Sequence, residues 1–348
     1  MLVSLGAGLE YYDFVIYGVM AYYLSELFFP NVDSSISIIK SFSVFTVGYI
    51  ARPVGSIIFG FLGDKFGRKS TFALSMLLIT VSTLAISILP TYNTISFKAI
   101  MLLVFFRIIQ GISFAAELQG ATTFINESSA PNKSGFYSGI LMVSIGIGDI
   151  TASFTVFLLT YLIGQKGIVE WGWRIPFFLG GVFAFISFYF RRNIYETPEF
   201  VNYAKTGLNN KSIKDLYKEI NWLLIVTGIA ISLLGAFLVV FNLYLPVYLS
   251  KYFGYDLSSI YFFTLLGIIV ATILSPVFGL ISDKMGAINI LLIHVLILPI
   301  CSLLIFLFYT KEIIYPALLI FIYQITSYSF YTGFLVLLGR LFPVSITR

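Results

Sequence analysis

The chain has 348 residues, of which 59% are hydrophobic and only 11% are charged, with a formal net charge of +5 and a mean hydropathy of +0.96. Soluble domains carry about 25% charged residues, so the composition excludes a soluble globular protein and indicates an integral membrane protein. A single cysteine, Cys301, and a single histidine, His294, exclude a disulfide framework and predict no metal site. Because cytoplasmic loops of membrane proteins are rich in Lys and Arg, the positive charge predicts no nucleic-acid partner.

The apolar segments predict ten membrane-spanning helices, since a span needs about 20 apolar residues. In chain order they cover residues 3–29, 37–62, 71–90, 98–124, 135–163, 173–192, 221–250, 257–282, 287–309 and 313–340. The first is expected to be retained, because it lacks a basic start and contains Glu10 and Asp13. The sequence therefore predicts an all-α polytopic membrane protein.

Polar residues divide the predicted spans into two groups. Residues 193–220 are polar and lysine-rich, which predicts a cytoplasmic linker between an N-terminal half at 1–192 and a C-terminal half at 221–348. Shorter breaks are predicted at Gly63 to Lys69, Gly164 to Gly167, Gly254 and Gly286.

The placement of basic residues predicts the orientation. With the N-terminus and the central linker in the cytoplasm, thirteen of the 21 Lys and Arg lie in inside loops or at the C-terminal end, against six outside. Trp171, Trp173 and Trp222 fall at the ends of spans, where an aromatic belt is expected.

A short basic loop occurs twice, at an offset of 219 positions. Residues 59–67 read F-G-F-L-G-D-K-F-G and residues 278–286 read F-G-L-I-S-D-K-M-G, with Phe, Gly, Asp, Lys and Gly at the same five places. Such a repeat indicates two related halves, as in transporters built from repeated helix bundles. The same offset moves the start of the fifth span past Arg348. We therefore expect six helices in the first half and four in the second, two short of a symmetric bundle.

The first copy of this loop resembles the signature loop between helices 2 and 3 of the major facilitator superfamily. Six residues fit that pattern: Gly60, Asp64, Lys65, Gly67, Arg68 and Lys69. Glycines permit tight turns and close helix approach, and a carboxylate can oppose a helix N-terminus. The resemblance implies a gating role for this loop and for Asp283 in the second copy, which departs from the pattern where Ala287 and Ile288 replace the basic end.

Five further strings narrow the resemblance to the metabolite:proton symporter branch, which includes proline/betaine, 2-oxoglutarate, citrate and shikimate carriers. They are G-A-G-L-E-Y-Y-D-F-V-I-Y-G at 6–18, Y-I-A-R-P-V-G at 49–55, R-I-I-Q-G at 107–111, W-G-W-R-I-P-F at 171–177 and E-T-P-E-F at 196–200. The resemblance implies a major facilitator-type bundle in the bacterial inner (plasma) membrane, surrounded by the lipid bilayer.

The known activity of this branch suggests a function for the chain. The resemblance implies proton-coupled uptake of a small zwitterion or organic acid by alternating access, by a monomer with no cofactor besides the proton. The sequence contains no nucleophile–base pair, metal cluster or phosphate-binding loop that would indicate an enzyme or a nucleotide hydrolase.

Ionisable residues inside spans are the candidate site, because such residues are expensive in a bilayer and usually face a cavity. Glu10 and Asp13 lie three residues apart and share a helix face with Tyr17, which predicts a proton-coupling pair. In the fourth span, Arg107 and Glu117 lie on one broad face.

Gln110 and Phe114 belong to the same face of the fourth span. Arg107 is expected to bind a substrate carboxylate or to neutralise an acid of the first span. Glu117 is expected to be a second proton site or to face a substrate ammonium. A static buried ion pair is the structural alternative for both residues.

Other candidates have a simpler explanation beside the functional one. Arg52 and Pro53 are expected to have a structural or gating role. Asp149 is expected to be either proton-linked or a packing acid, and His294 is expected to be structural. Four tyrosines could supply cation–π contacts to a quaternary ammonium: Tyr11, Tyr12, Tyr244 and Tyr248.

The uneven halves leave a second hypothesis open. The family resemblance implies that Asp64 meets the start of an eleventh helix, and the predicted spans end with the tenth. A non-transporting remnant, or one part of a split carrier, is the alternative to an active symporter.

Overall fold

The computed structural model describes residues 2–30, 33–66, 68–128, 133–191, 222–307 and 314–341. Within these ranges the backbone forms α-helices, one π-helical turn and no strand. The helices are α1 (Leu2–Val19), α2 (Ala21–Phe28), α3 (Ser34–Phe66), α4 (Arg68–Ser87), α5 (Tyr92–Ile95), α6 (Phe97–Ser128), α7 (Ser134–Gly167), α8 (Arg174–Arg191), α9 (Trp222–Phe253), α10 (Leu257–Met285), α11 (Ala287–Leu307) and α12 (Ile314–Leu341). The π-helical turn, Ile168–Gly172, joins α7 to α8.

Each predicted span coincides with helical structure, so the all-α prediction is confirmed. The first span consists of α1 and α2, which meet at Met20. The short helix α5 precedes α6 and was not predicted. By length and composition, six helical segments in the described ranges can cross a membrane. Helices suit this environment because a backbone in lipid must satisfy its own hydrogen bonds.

The predicted breaks are only partly correct. Gly254 and Gly286 end helices with φ of +75° and +86°, and Gly164 kinks α7 with φ of +64°, a region that glycine adopts without strain. The predicted break from Gly63 to Lys69 contains the α3–α4 boundary but is too long, because α3 continues to Phe66 and α4 begins at Arg68. Helical hydrogen bonding continues past the apolar segment, since charged residues such as Asp and Lys are compatible with a helical backbone.

The helix boundaries repeat at the same offset as the sequence. α3 ends at Phe66 and α4 begins at Arg68, while α10 ends at Met285 and α11 begins at Ala287. Both boundaries are therefore displaced by 219 positions. The repeat in the sequence marks a repeat in the structure.

Helices before the linker pack mainly with one another, as do those after it. In the first group α3 packs on α6, α4 on α8, and α1 on α7 and α8, while in the second α12 packs on α10 and α11. The groups meet where α7 runs along α10, where α7 packs on α12, and where α1 reaches α9. The predicted linker at 193–220 lies outside the described residues, so the domain division stays a prediction.

The contact between α7 and α10 is built on small residues and is called the glycine seam here. Gly135 faces the backbone of Gly279, and Gly139 faces the backbone of Ser275 and Pro276. Further along, Gly146 faces Thr272. Missing side chains let two helix backbones approach closely, which is how membrane helices gain packing energy.

Candidate functional site

Asp13 is the centre of a buried polar cluster contributed by three helices. The side chain on α1 is only 3% exposed. Thr83 of α4 donates its hydroxyl to Asp13 Oδ1 at 2.5 Å, and the Gln110 amide of α6 donates to Oδ2 at 3.1 Å. Gln110 also donates to Thr83 Oγ1 at 2.8 Å. A hydroxyl and an amide can reorient, so this cluster can accommodate either protonation state of the carboxyl group.

Arg107 joins the cluster through Gln110. Its Nη1 donates to Gln110 Oε1 at 3.0 Å, one helical turn along α6. The guanidinium carbon lies 4.2 Å from the centre of the Tyr17 ring, a cation–π geometry. The predicted grouping of Asp13 with Tyr17, and of Arg107 with Gln110, is therefore observed. The four side chains form one connected polar path between α1 and α6.

A small cavity of about 10 Å³ adjoins this path. Its lining comprises Asp13, Phe14, Gly48, Arg107, Gln110, Gly111 and Phe114. The volume corresponds to about one water molecule. The polar groups at its wall are an acid, an amide and a guanidinium, so this space can hold a proton carrier or a small polar group.

Glu10 points to a different neighbour than Asp13. It is 2% exposed, and its Oε1 accepts a hydrogen bond from Ser187 of α8 at 3.2 Å. Asp13 instead contacts α4 and α6. The two carboxylates of α1 are thus held by different helices, although their spacing predicts one face.

Arg52 lies inside an aromatic cage. Its guanidinium carbon is 4.0 Å from the ring centre of Phe14, 4.1 Å from Tyr49 and 4.4 Å from Phe114. These rings come from α1, α3 and α6, and Pro53 continues α3 just after the arginine. Phe14 and Phe114 also line the cavity, so the cage and the cavity share walls.

Asp149 connects the two groups of helices. Tyr328 of α12 donates its hydroxyl to Asp149 Oδ2 on α7 at 3.0 Å. Nearby on α12, Tyr331 donates to the carbonyl of Gly235 on α9. The acid predicted as either proton-linked or structural therefore has a partner across the interface. His294 contacts the carbonyl of Ile290 within its own helix at 2.6 Å.

The second copy of the basic loop makes a defined contact at the seam. Asp283 of α10 accepts hydrogen bonds from the backbone N–H groups of Gly135 and Phe136 at 2.7 and 3.0 Å. These are N–H groups of the first turn of α7, which have no partner within that helix. A carboxylate there also interacts favourably with the helix dipole. Asp283 therefore holds the start of α7 against the end of α10.

Several predicted site residues cannot be placed as side chains. Gly67 and the side chains of Asp64, Lys65, Arg68, Lys69 and Glu117 lie outside the described part of the structure. Gly60 is described, and it is exposed on α3.

The opposite ends of the helices also carry contacts between the two groups. Tyr261 donates its hydroxyl to the carbonyl of Val19 at 3.1 Å, and Lys251 donates to Ser35 Oγ at 2.9 Å. Asp33 precedes α3 and accepts the backbone N–H of Ser35 at 2.7 Å, which lowers the pKa of that carboxyl. The halves thus touch at both ends of the bundle.

Two site residues were missed from the sequence. Thr83 and Tyr328 complete the hydrogen bonding of Asp13 and Asp149, respectively. Neither has a sequence signal, because a threonine or a tyrosine in an apolar span looks the same whether it faces lipid, core or a carboxylate.

A repeated helix bundle with buried ionisable groups beside its central interface defines the class of polytopic solute carriers. The chain belongs to the Major Facilitator Superfamily, whose pattern matches residues 3–347. Proteins of this family are transporters rather than enzymes, and the predicted family resemblance is confirmed.

Within this superfamily, the chain is similar to transporters of small organic solutes. The chain is 34% identical over 295 residues to the proline/betaine transporter of Salmonella typhimurium, covering 81% of this chain and 59% of that protein. It is 30% identical over 283 residues to the alpha-ketoglutarate permease of Escherichia coli, covering 81% and 65%. The chain thus spans about three fifths of the length of the proline/betaine transporters that it matches.

Solved structures share the fold at low sequence identity. The xylose transporter XylE of Escherichia coli, in a partially occluded inward-open conformation, superposes with a TM-score of 0.80 at 17% identity. The match covers 99% of this chain and 85% of that protein. This similarity establishes the fold.

Proposed function

We propose that this protein is a secondary active carrier that couples proton entry to the uptake of a small carboxylate-bearing solute by alternating access. The solute would be a zwitterion of the proline or betaine type, or an organic acid such as a dicarboxylate. The observation that supports this most directly is the Asp13 cluster, a nearly fully buried carboxyl group beside a cavity. An ionisable group at that depth is a functional candidate by default.

The roles follow from the contacts of each group. Asp13 takes up and releases the proton, because its hydrogen-bond partners Thr83 and Gln110 are neutral and can reorient. Arg107 donates to Gln110, which in turn donates to Asp13, so protonation of the acid changes the electrostatic surroundings of the guanidinium. A substrate carboxylate is then attracted or released according to the charge on Asp13.

Uptake and exchange assays in proteoliposomes test solute transport and proton coupling separately. Purified protein is reconstituted, and uptake of radiolabelled proline, glycine betaine and 2-oxoglutarate is measured with and without an inward proton gradient. We expect gradient-driven accumulation of at least one of these solutes. If none accumulates and none exchanges, the carrier function is wrong.

Asp13→Asn keeps the shape of the side chain and removes its titration. We expect this variant to lose accumulation by about tenfold or more, since charge-assisted hydrogen bonds contribute about 1.5–3 kcal/mol. Exchange of labelled for unlabelled solute needs no net proton movement, so exchange should survive. Accumulation at the wild-type level in Asp13→Asn would contradict the assigned proton site.

A further inference from the structure

Arg52 is a partly buried cation whose guanidinium is not fully hydrogen-bonded. Its Nε and Nη2 atoms are buried and have no hydrogen-bond partner among the residues that the structure describes. An arginine normally presents five N–H donors, and leaving donors of a charged group unpaired in a buried position is costly. The aromatic cage interacts with the faces of the guanidinium, and Tyr49 is its one ring with a group that can hydrogen-bond to the arginine.

Each buried acid whose side chain is described has a hydrogen-bond partner other than Arg52. Asp13 bonds with Thr83 and Gln110, Asp149 accepts from Tyr328, and Glu10 accepts from Ser187. The geometry thus gives Arg52 three aromatic contacts while two of its nitrogens remain available. This combination suits a residue that receives its anionic partner from outside the chain.

The position of Arg52 also suits a ligand. Two walls of its cage, Phe14 and Phe114, line the cavity beside Asp13. Tyr331 of α12 packs against the hydrophobic cluster that contains these two rings. Arg52 therefore lies where helices of both halves converge, next to the proposed proton site.

We infer that Arg52 binds the carboxylate of the transported solute, with its free nitrogens as donors and the aromatic cage holding the guanidinium plane in place. Guanidinium and carboxylate match in a two-point geometry, and stacking on rings reduces the freedom that the side chain would lose on binding. This inference rests on the proposed function, and it deepens that function by naming the chemical group recognised and the residue that recognises it. It replaces the structural or gating role expected from the sequence.

Equilibrium binding to the detergent-solubilised full chain tests this inference without depending on proton coupling. The probes are proline, glycine betaine and 2-oxoglutarate, with choline as a quaternary ammonium that lacks a carboxylate. Binding is read as ligand-dependent thermal stabilisation and as Kd by scintillation proximity. We expect at least one carboxylate probe to bind and choline to compete at least about tenfold more weakly.

Three variants distinguish binding of the solute by Arg52 from a purely structural role of a partly buried arginine. Arg52→Gln should raise the Kd by about 10–100-fold, and Arg52→Lys should raise it by less, because Lys keeps the charge but loses the two-point geometry. Arg174→Gln is the matched control, since Arg174 also stacks on an aromatic ring, at 4.5 Å from Trp173, and donates to the Leu89 carbonyl. Arg174→Gln should leave the Kd unchanged.

Four outcomes overturn the inference. They are wild-type affinity in both Arg52 variants, equal binding of choline and the carboxylates, absence of carboxylate binding to the wild type, and recovery of affinity when Glu117→Gln is added to Arg52→Gln. The last would show that Glu117 is the partner of Arg52. Carboxylate binding that depends on Arg52, without gradient-driven uptake, would support the inference and refute the coupling part of the proposed function.

Discussion

The two copies of the basic loop have the same five-residue pattern and different surroundings. In the second copy, Gly279 lies against the backbone of Gly135, and Asp283 accepts hydrogen bonds from the first turn of α7. In the first copy, the equivalent Gly60 has no atom within 4 Å of where a Cβ would lie.

This difference shows which residues of the pattern make the contact. The second copy lacks the basic end, since Ala287 and Ile288 stand where the first has Arg68 and Lys69. It nevertheless holds a helix start through one glycine and one aspartate. The docking function therefore belongs to these two positions. The cytoplasmic orientation predicted from the sequence accounts for the basic residues of the first copy.

The largest expected difference in stability is between alanine substitutions at the two equivalent glycines. A Cβ on Gly279 would overlap the carbonyl oxygen of Gly135, so Gly279→Ala should destabilise the protein by about 1–3 kcal/mol. Gly60→Ala meets open space and should be neutral or stabilising by up to about 1 kcal/mol. Thermal unfolding of the detergent-solubilised protein compares the two. Equal melting temperatures would contradict the seam as a close backbone contact.

A smaller effect is expected from the aspartate of the second copy. Asp283→Ala removes a cap worth about 0.5–2 kcal/mol, so the seam should open more often at the end where Asp283 lies. The readout is the thiol-labelling rate of Ser138→Cys, a site on α7 that is 3% exposed, in a Cys301→Ser background. The rate should rise about two- to thirtyfold.

The control for this measurement is another aspartate cap. Asp256 accepts the Ser259 backbone N–H at 2.8 Å within its own helix, α10, at the opposite end. Asp256→Ala should leave labelling at the Ser138→Cys site unchanged. A similar increase in both variants would mean that loss of any cap loosens the bundle, and not loss of the link between the halves.

The smallest effect concerns a cap at the other end of the bundle. The pKa of Asp33 is lowered because its carboxylate accepts the Ser35 backbone N–H. A lowered folded-state pKa means that this contribution to stability is present above the ordinary carboxyl pKa and is lost as the pH falls through the folded value. Thermal midpoints between about pH 5 and pH 3 should therefore fall slightly less in Asp33→Asn than in the wild type. A larger fall in the variant would contradict the sign.

The fold was predictable because few physical rules decide it. Runs of about 20 apolar residues must be helical in a bilayer, and the repeated loop located the α3–α4 and α10–α11 junctions. Glycines at 254 and 286 marked helix ends correctly, since their positive φ is a local property. The helix around Asp64 was not predicted, because charge in a sequence marks contact with water without distinguishing a loop from a helix end.

The site was predictable mainly in its charged and amide-bearing members. Asp13, Gln110 and Arg107 were predicted because polar groups inside a span are energetically costly and therefore usually functional. The helical spacing of Arg107 and Gln110 places them on one face. Thr83 was not found, because its partner depends on how α4 packs against α1. Trp173 shows the same limit in the core: a tryptophan at a span end predicts the membrane interface, but this one is fully buried against Phe28.

The glycine seam determines how much side-chain entropy changes when the two groups of helices move during the proposed alternating access. Ordinary helix contacts immobilise side chains when they form, whereas glycine loses no side-chain freedom on burial. At Gly135, Gly139 and Gly279, closing and opening the seam therefore freezes and releases almost no rotamers. The balance between the closed and open arrangements is then left to a few directional bonds, such as those of Asp283. Such a balance can be shifted by binding a small solute or a single proton.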